Sequence, residues 1–193
     1  MRSLVFASAM VGLGALAFAT SPVPRPAPGF EMVDPSGNHL NLANLKGKVV
    51  VLQFLLTTCP HCQAFSQLLN HLQADYGPKG FQALGAAVNE ANNQMASEYH
   101  SKYAQAFPVA AVPHDTVLTF MGLSVMDRFG LPQIAVIDRK GQIREQSLSD
   151  INAAQPLQQE QHLRQLVEKL LAEPAGVSAT KAPASGVAAA KKQ

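Results

Sequence analysis

The hydrophobic pattern changes period several times along the chain. Phe30–Val33 predicts a short strand closed by the turn residues Asp34-Pro35-Ser36-Gly37. Leu40 and Leu42 then alternate with polar neighbours, up to a turn at Lys46-Gly47-Lys48. Val49–Leu56 is a near-continuous apolar run, the pattern of a central strand covered on both faces. From Cys62 the period becomes helical. Phe65, Leu68 or Leu69, Leu72 and Tyr76 share one face and predict a helix over Pro60–Tyr76, with Pro60 in the first turn where its missing N–H is tolerated. Phe81–Val88 predicts another strand. Met95, Tyr99, Tyr103 and Phe107 recur every four residues and mark a second helix, and a short one covers Asp115–Met121. Gln133–Asp138 and Gln142–Gln146 flank Arg139-Lys140-Gly141 as a β-hairpin. Pro156–Leu171 closes the series with Leu163, Leu166, Val167, Leu170 and Leu171 on one helical side. Strand, helix, strand, helix, hairpin and helix describe an α/β domain with a mixed sheet, an order that assigns no function by itself.

The two ends differ from this body. Residues 1–19 carry one positive charge (Arg2), sixteen apolar or small residues from Leu4 to Ala19, and the small-x-small pattern Ala17-Phe18-Ala19. That reads as an export leader cut after Ala19, or as an uncleaved N-terminal anchor slightly short for a full span. A buried core helix fits poorly, because Pro22, Pro24, Pro26 and Pro28 follow at once. Residues 20–28 read as a stiff extended linker, 29–173 as the folded domain, and 174–193 as an Ala/Lys/Pro tail too poor in large apolar residues to order itself. Without Arg2, Lys181, Lys191 and Lys192, 11 basic residues face 13 acidic ones, so the +2 of the chain belongs to its ends. The body has no basic footprint for nucleic acid. Export to the periplasm or cell envelope would put cysteines where disulfides persist.

Two cysteines are present, Cys59 and Cys62, in Thr57-Thr58-Cys59-Pro60-His61-Cys62-Gln63. The pair lies where the central strand ends and the next helix begins. A sulfur there faces unpaired N–H groups and the positive end of the helix dipole, and both favour its anion. His61 adds positive charge when protonated. Two intervening residues let the sulfurs close or open a small disulfide ring, with Cys59 exposed as nucleophile and Cys62, one turn in, buried as the resolving thiol. As a zinc site the pair supplies two of four ligands, with His61, His71 or His114 as further candidates. A purely structural disulfide would close too small a loop to stabilise much. Haem attachment would want His after Cys62, where Gln63 stands.

These residues resemble the thioredoxin superfamily, and within it the exported TlpA-like branch of the redoxin (AhpC/TSA-related) group. Phe30–Gly37 is similar to the opening strand and turn, Leu42–Val51 to the lead into the first central strand, and Gly130-Leu131-Pro132 followed by Gln133–Gly141 to the family's Gly-x-Pro, strand and turn. The resemblance runs from about Phe30 to Leu171. It implies a thioredoxin-like fold, a central mixed sheet flanked by helices, and an exported thiol–disulfide oxidoreductase that needs no cofactor. It also implies that Pro132 is cis and stands against the cysteines, with Leu131 backbone groups free to pair with a substrate chain. The site residues expected are therefore Cys59, Cys62, Pro60, His61 and Pro132. Partners would be protein thiols or disulfides of the cell envelope, with a membrane-bound or soluble redox partner.

Departures from that pattern sharpen the question. Tryptophan usually precedes the first cysteine; Thr58 stands there. Thioredoxins carry a buried Asp six residues before that cysteine and some TlpA-like reductases a Glu three residues after the second, but this chain has Gln53 and Phe65. Glu90, Asp127 and His61 are the remaining candidates to move the proton. Pro60-His61 is the dipeptide of DsbA, whose stabilised reduced form makes it a strong oxidant. Two alternatives stand beside the oxidoreductase. A peroxiredoxin would want Pro-x-x-x-(Thr/Ser)-x-x-Cys, and the matching positions are Leu52 and Leu56. A Cu(I) module would use Cys59 and Cys62 with His61 or His114. The Asn89–Asn93 turn reads as a loop at a strand end on the cysteine side, His100 and His162 as solvated helix positions, and Leu56, Phe129 and Leu131 as either a docking patch or core packing.

Overall fold

The computed structural model describes residues 21–89, 92–150 and 152–175; the leader, Glu90 and all but the first two residues of the tail lie outside the described residues. The strands are β1 (Arg25–Pro26), β2 (Glu31–Val33), β3 (His39–Asn41), β4 (Val49–Leu55), β5 (Phe81–Ala87), β6 (Val109–Ala111), β7 (Gln133–Ile137) and β8 (Gln142–Gln146). The α-helices are α1 (Pro60–Tyr76), α2 (Asn93–Tyr103), α3 (Asp115–Met121) and α4 (Glu160–Ala172). Among the described residues, six strands form one sheet in the order β1-β8-β7-β4-β5-β6, and β2 and β3 pair separately. β4, β5 and β6 run parallel, while β7, β8 and β1 are each antiparallel to their neighbours. The architecture is the mixed α/β sheet expected from the sequence.

β4 lies at the centre and is buried along its whole length. Its side chains alternate between two cores, as the strand period requires. Val49, Val51 and Leu55 join Phe65, Leu69 and Leu72 of α1 with Leu163, Val167 and Leu170 of α4. Val50, Leu52 and Phe54 join Phe30, Met32 and the α3 residues Val117, Phe120 and Met121. On that second face Phe30, Phe54 and Phe120 pack with ring centroids 5.5–6.0 Å apart. Each fully buried Leu or Val of this kind is worth about 1.5–3 kcal/mol relative to exposure. On the first face the odd-numbered series is interrupted once, by the fully buried Gln53.

Several segments differ from the sequence expectation. The proline-rich run bends at Val23 and Pro24, and part of it is docked: Arg25 and Pro26 pair with Ile143 and Gln142 of β8. The Arg25 guanidinium donates from Nη2 to the Phe120 carbonyl and to Gln146 Oε1, both at 2.8 Å. Leu42 does not continue a strand; Asn41 caps a 3-10 turn over Leu42–Leu45 by accepting the Ala43 N–H. α2 stops at Tyr103, and Phe107 is buried beyond it. The last helix is split, a 3-10 turn over Pro156–Gln158 being separated from α4 by the extended Gln159. The hairpin is built on buried Asp138, whose Oδ1 accepts N–H groups from Lys140 and Gln142.

Candidate active site

β4 delivers the chain to the sheet's end, and α1 begins five residues after Leu55, at Pro60. Asn89, at the end of β5, fixes the connection. Its Oδ1 accepts the Thr57 N–H at 3.2 Å and its amide donates to Thr57 Oγ1 at 3.0 Å. Gln63 donates to the Thr57 carbonyl from the helix side. Cys59 is the N-cap of α1, with extended backbone (φ −82°, ψ 119°). Its sulfur accepts the Cys62 N–H at 3.4 Å, taking a donor that has no partner inside the helix. The Cys59 thiol in turn donates to the Leu131 carbonyl at 3.7 Å. The Leu131–Pro132 peptide is cis, and Pro132 is buried.

The fold thus brings Cys59, Cys62 and the Leu131–Pro132 segment together across 72 residues of sequence. Pro60 and His61 open α1 and are exposed. His61 lines a groove of about 300 Å³ with Gly130, Leu131 and Gln158. A second groove, about 390 Å³, lies between the start of α1 and α2, bordered by Thr58, Gln63, Glu98 and Tyr103. Cys59 is half-buried and stands in sequence between Thr58 of one groove and His61 of the other, whereas Cys62 is fully buried. Burial pushes the Cys62 thiol well above its ordinary range, and its hydrogen bond with Cys59 pushes it the same way. One sulfur is accessible and the other is held protonated behind it. That asymmetry is what a two-step exchange requires.

Behind Cys62 lies a buried polar group that the sequence reading did not assemble. Gln53 donates from Nε2 to the Cys62 carbonyl at 3.0 Å. Ser66 hydrogen-bonds Gln53 Oε1 at 2.8 Å, and Tyr99 hydrogen-bonds Ser66 at 2.8 Å. Ser66 falls four residues after Cys62 on the apolar stripe of α1, and Tyr99 looks like core on the periodicity of α2; only Gln53, polar inside an apolar run, was visible as an anomaly. Asn89 has the sequence setting of a plain loop residue, yet it anchors Thr57.

The other candidates take different parts. Asp127 closes a loop turn, its Oδ2 accepting the Ser124 N–H at 2.7 Å. Glu90 lies outside the described residues. His71 is exposed, and His114 is exposed beside Asp115. His100 is not simply solvated, since its Nδ1 pairs with the Phe107 carbonyl at 3.0 Å, and His162 pairs with Glu145 at 2.7 Å. Leu56, Phe129 and Leu131 are half-buried against the core, which favours packing over a free patch. Among the described residues no three His, Cys, Asp or Glu side chains gather as a metal site. Where a peroxide pocket would want Pro and Thr, Leu52 is buried in β4 and Leu56 packs on the core.

A protein-family model described as Redoxin matches residues 22–161. The chain belongs to the Redoxin family. Curated relatives of this redoxin include the thiol-disulfide oxidoreductase ResA of Bacillus thuringiensis, 28% identical over 126 residues that cover 65% of this chain and 69% of that one. ResA of Geobacillus thermodenitrificans is 27% identical over 119 residues, 62% of this chain and 65% of the relative. Among solved structures, a thiol:disulfide interchange protein of the thioredoxin family from Chlorobium tepidum superposes with a TM-score of 0.63 at 26% identity, covering 77% of this redoxin and 97% of that chain. The thioredoxin domain of a thiol-disulfide oxidoreductase from Bacteroides vulgatus gives 0.61 at 22% identity, covering 80% and 99%, and shares the thioredoxin-like fold.

Proposed function

We propose that this redoxin is an exported thiol–disulfide oxidoreductase that exchanges disulfides with protein thiols through Cys59-Pro60-His61-Cys62. Membership of the family and the relatives above support the reaction class. The observation that carries it to these residues is the asymmetry of the pair: a half-buried sulfur at a helix N-terminus, 3.7 Å from the Leu131 carbonyl, backed by a buried thiol. The Cys59 thiolate attacks one sulfur of a substrate disulfide and expels the other as a thiolate. Cys62 then attacks the Cys59 sulfur, closes the internal disulfide and releases the second substrate sulfur. Two electrons pass from the pair to the substrate, and the reverse sequence oxidises a substrate dithiol. Leu131 offers main-chain groups to the substrate chain, and Pro132 and His61 shape the ground on which it lies.

The apolar leader, residues 4–19, supports delivery to the periplasm or cell envelope, as a cleaved signal or as an anchor. No helix among the described residues is long and apolar enough to cross a membrane. Partners are then envelope proteins carrying cysteines.

Equilibration of the chain against glutathione buffers tests the reading. A reversible two-electron couple that disappears in Cys59→Ser is expected. A midpoint towards about −120 mV would assign the DsbA-like oxidising direction to Pro60-His61, and one near about −270 mV the thioredoxin-like reducing direction. Failure to form a reversible Cys59–Cys62 disulfide would sink the proposal.

A further inference from the structure

The exchange described above makes no use of Gln53, Ser66 or Tyr99, yet all three are buried side chains whose hydroxyl and amide groups converge behind Cys62. Their hydrogens can be assigned from the partners alone. The Cys62 carbonyl oxygen can only accept, so the Gln53 group 3.0 Å from it is the amide nitrogen. Gln53 Oε1 then faces Ser66 and can only accept, so Ser66 donates at 2.8 Å. With its single proton spent, Ser66 accepts from the Tyr99 hydroxyl, also at 2.8 Å. The chain is one-way and ends on the main chain: Tyr99 to Ser66 to Gln53 to the Cys62 carbonyl oxygen. Each hydrogen-bond dipole turns its positive end towards the main chain of the resolving cysteine, and in a pocket of low dielectric such dipoles reinforce one another.

Amide and aliphatic hydroxyl groups do not titrate, and burial pushes the Tyr99 phenol above its ordinary range. Nothing in the chain changes charge at working pH. It occupies the place where the resemblance leads one to look for a buried carboxylate.

We propose that Gln53, Ser66 and Tyr99 are positioning residues for Cys62, a neutral one-way hydrogen-bond chain that supports its thiolate while it resolves the mixed disulfide. The proposal rests on the redox reading of the cysteine pair. In the step it assists, the Cys62 thiol gives its proton to water. The thiolate attacks Cys59 Sγ, the Cys59–Cys62 bond forms as the bond from Cys59 to the substrate breaks, and the departing substrate thiolate takes up a proton. Fixed dipoles lower the cost of the anion without competing for that proton, as a carboxylate would.

The test uses the full chain in its dithiol form mixed with an aromatic disulfide, dithiobis(nitrobenzoate). Attack by Cys59 releases one coloured thiolate in a phase whose rate follows reagent concentration. Resolution by Cys62 releases a second in a phase that does not. Loss of one hydrogen bond of about 1.4 kcal/mol corresponds to a factor of ten. Tyr99→Phe and Ser66→Ala are each expected to slow the second phase by about tenfold and move its pH profile upward, with the first phase changed less than about twofold. Gln53→Glu should give the second phase a pH break, raised by burial above the usual carboxylate range, that the parent lacks. If Tyr99→Phe and Ser66→Ala leave the second phase's rate and pH profile unchanged, or slow both phases alike, the proposal is overturned. A parent chain that never releases a second equivalent fails differently: the redox reading itself falls, and this proposal with it.

Discussion

Cys62 shows what a single residue's surroundings can do. Its folded-state thiol is raised above the unfolded value of about 8.5, by burial first and Cys59 second. A raised group contributes stability that is complete below the unfolded value and is lost as pH rises beyond it, because the unfolded chain releases the proton first. The dithiol form should therefore lose thermal stability from about pH 8.5 upward. Cys62→Ser should lose less over that range, and so should the disulfide form, which has no thiol to ionise. Melting curves of the three forms between about pH 7 and 11 check this; parallel losses would contradict it. At this scale the sequence was half legible. Cys59 and Cys62 stand out by type and spacing, and Pro132 by the family resemblance. Ser66, Tyr99 and Asn89 do not, because a serine on an apolar stripe or an asparagine in a loop acquires a role only from what the fold sets against it.

Whole elements were easier to read where local physics decides them. α1 runs over Pro60–Tyr76, as its period predicts, because an N-cap, an early proline and a continuous apolar stripe agree. The short segments escaped. β6 is three residues between Pro108 and Pro113, too few to show a period. β1 is two residues, and nothing apolar marks it. Besides its main-chain pairing with β8, one side chain anchors it: Arg25 donates to the Phe120 carbonyl and Gln146, and Gln146 in turn donates to the Met121 carbonyl at 3.0 Å. Arg25→Ala should lower unfolding free energy by about 1–3 kcal/mol, since it leaves those acceptors without their donor. Denaturant unfolding measures this, and Arg25→Lys should recover only part of the loss because one ammonium replaces a forked pair of contacts. An unchanged midpoint in Arg25→Ala would mean that the strap is not held this way.

At the scale of the molecule, the mixed sheet and its two cores were implied by one feature, the central apolar run of β4, which has to be covered on both sides. Strand order and register were not, since they depend on pairings between segments far apart in sequence. The docked proline-rich run bears on a different property, association between copies. A sheet's outer strand presents unpaired main-chain groups that can template another chain. At one margin β6 is only three residues long. At the other, β8 is covered over Ile143 and Gln142 by Arg25 and Pro26, and the Ala27 N–H bonds the Gly141 carbonyl at 2.9 Å. Pro24 and Pro26 turn outward a backbone that lacks two of its N–H donors, so the added strand does not invite a further one. A chain beginning at Gly29 should scatter more light as its concentration rises, while the longer chain stays dispersed; equal scattering would deny the run this role. A stretch that looks like mere spacing would then be the sheet's guard against its own copies.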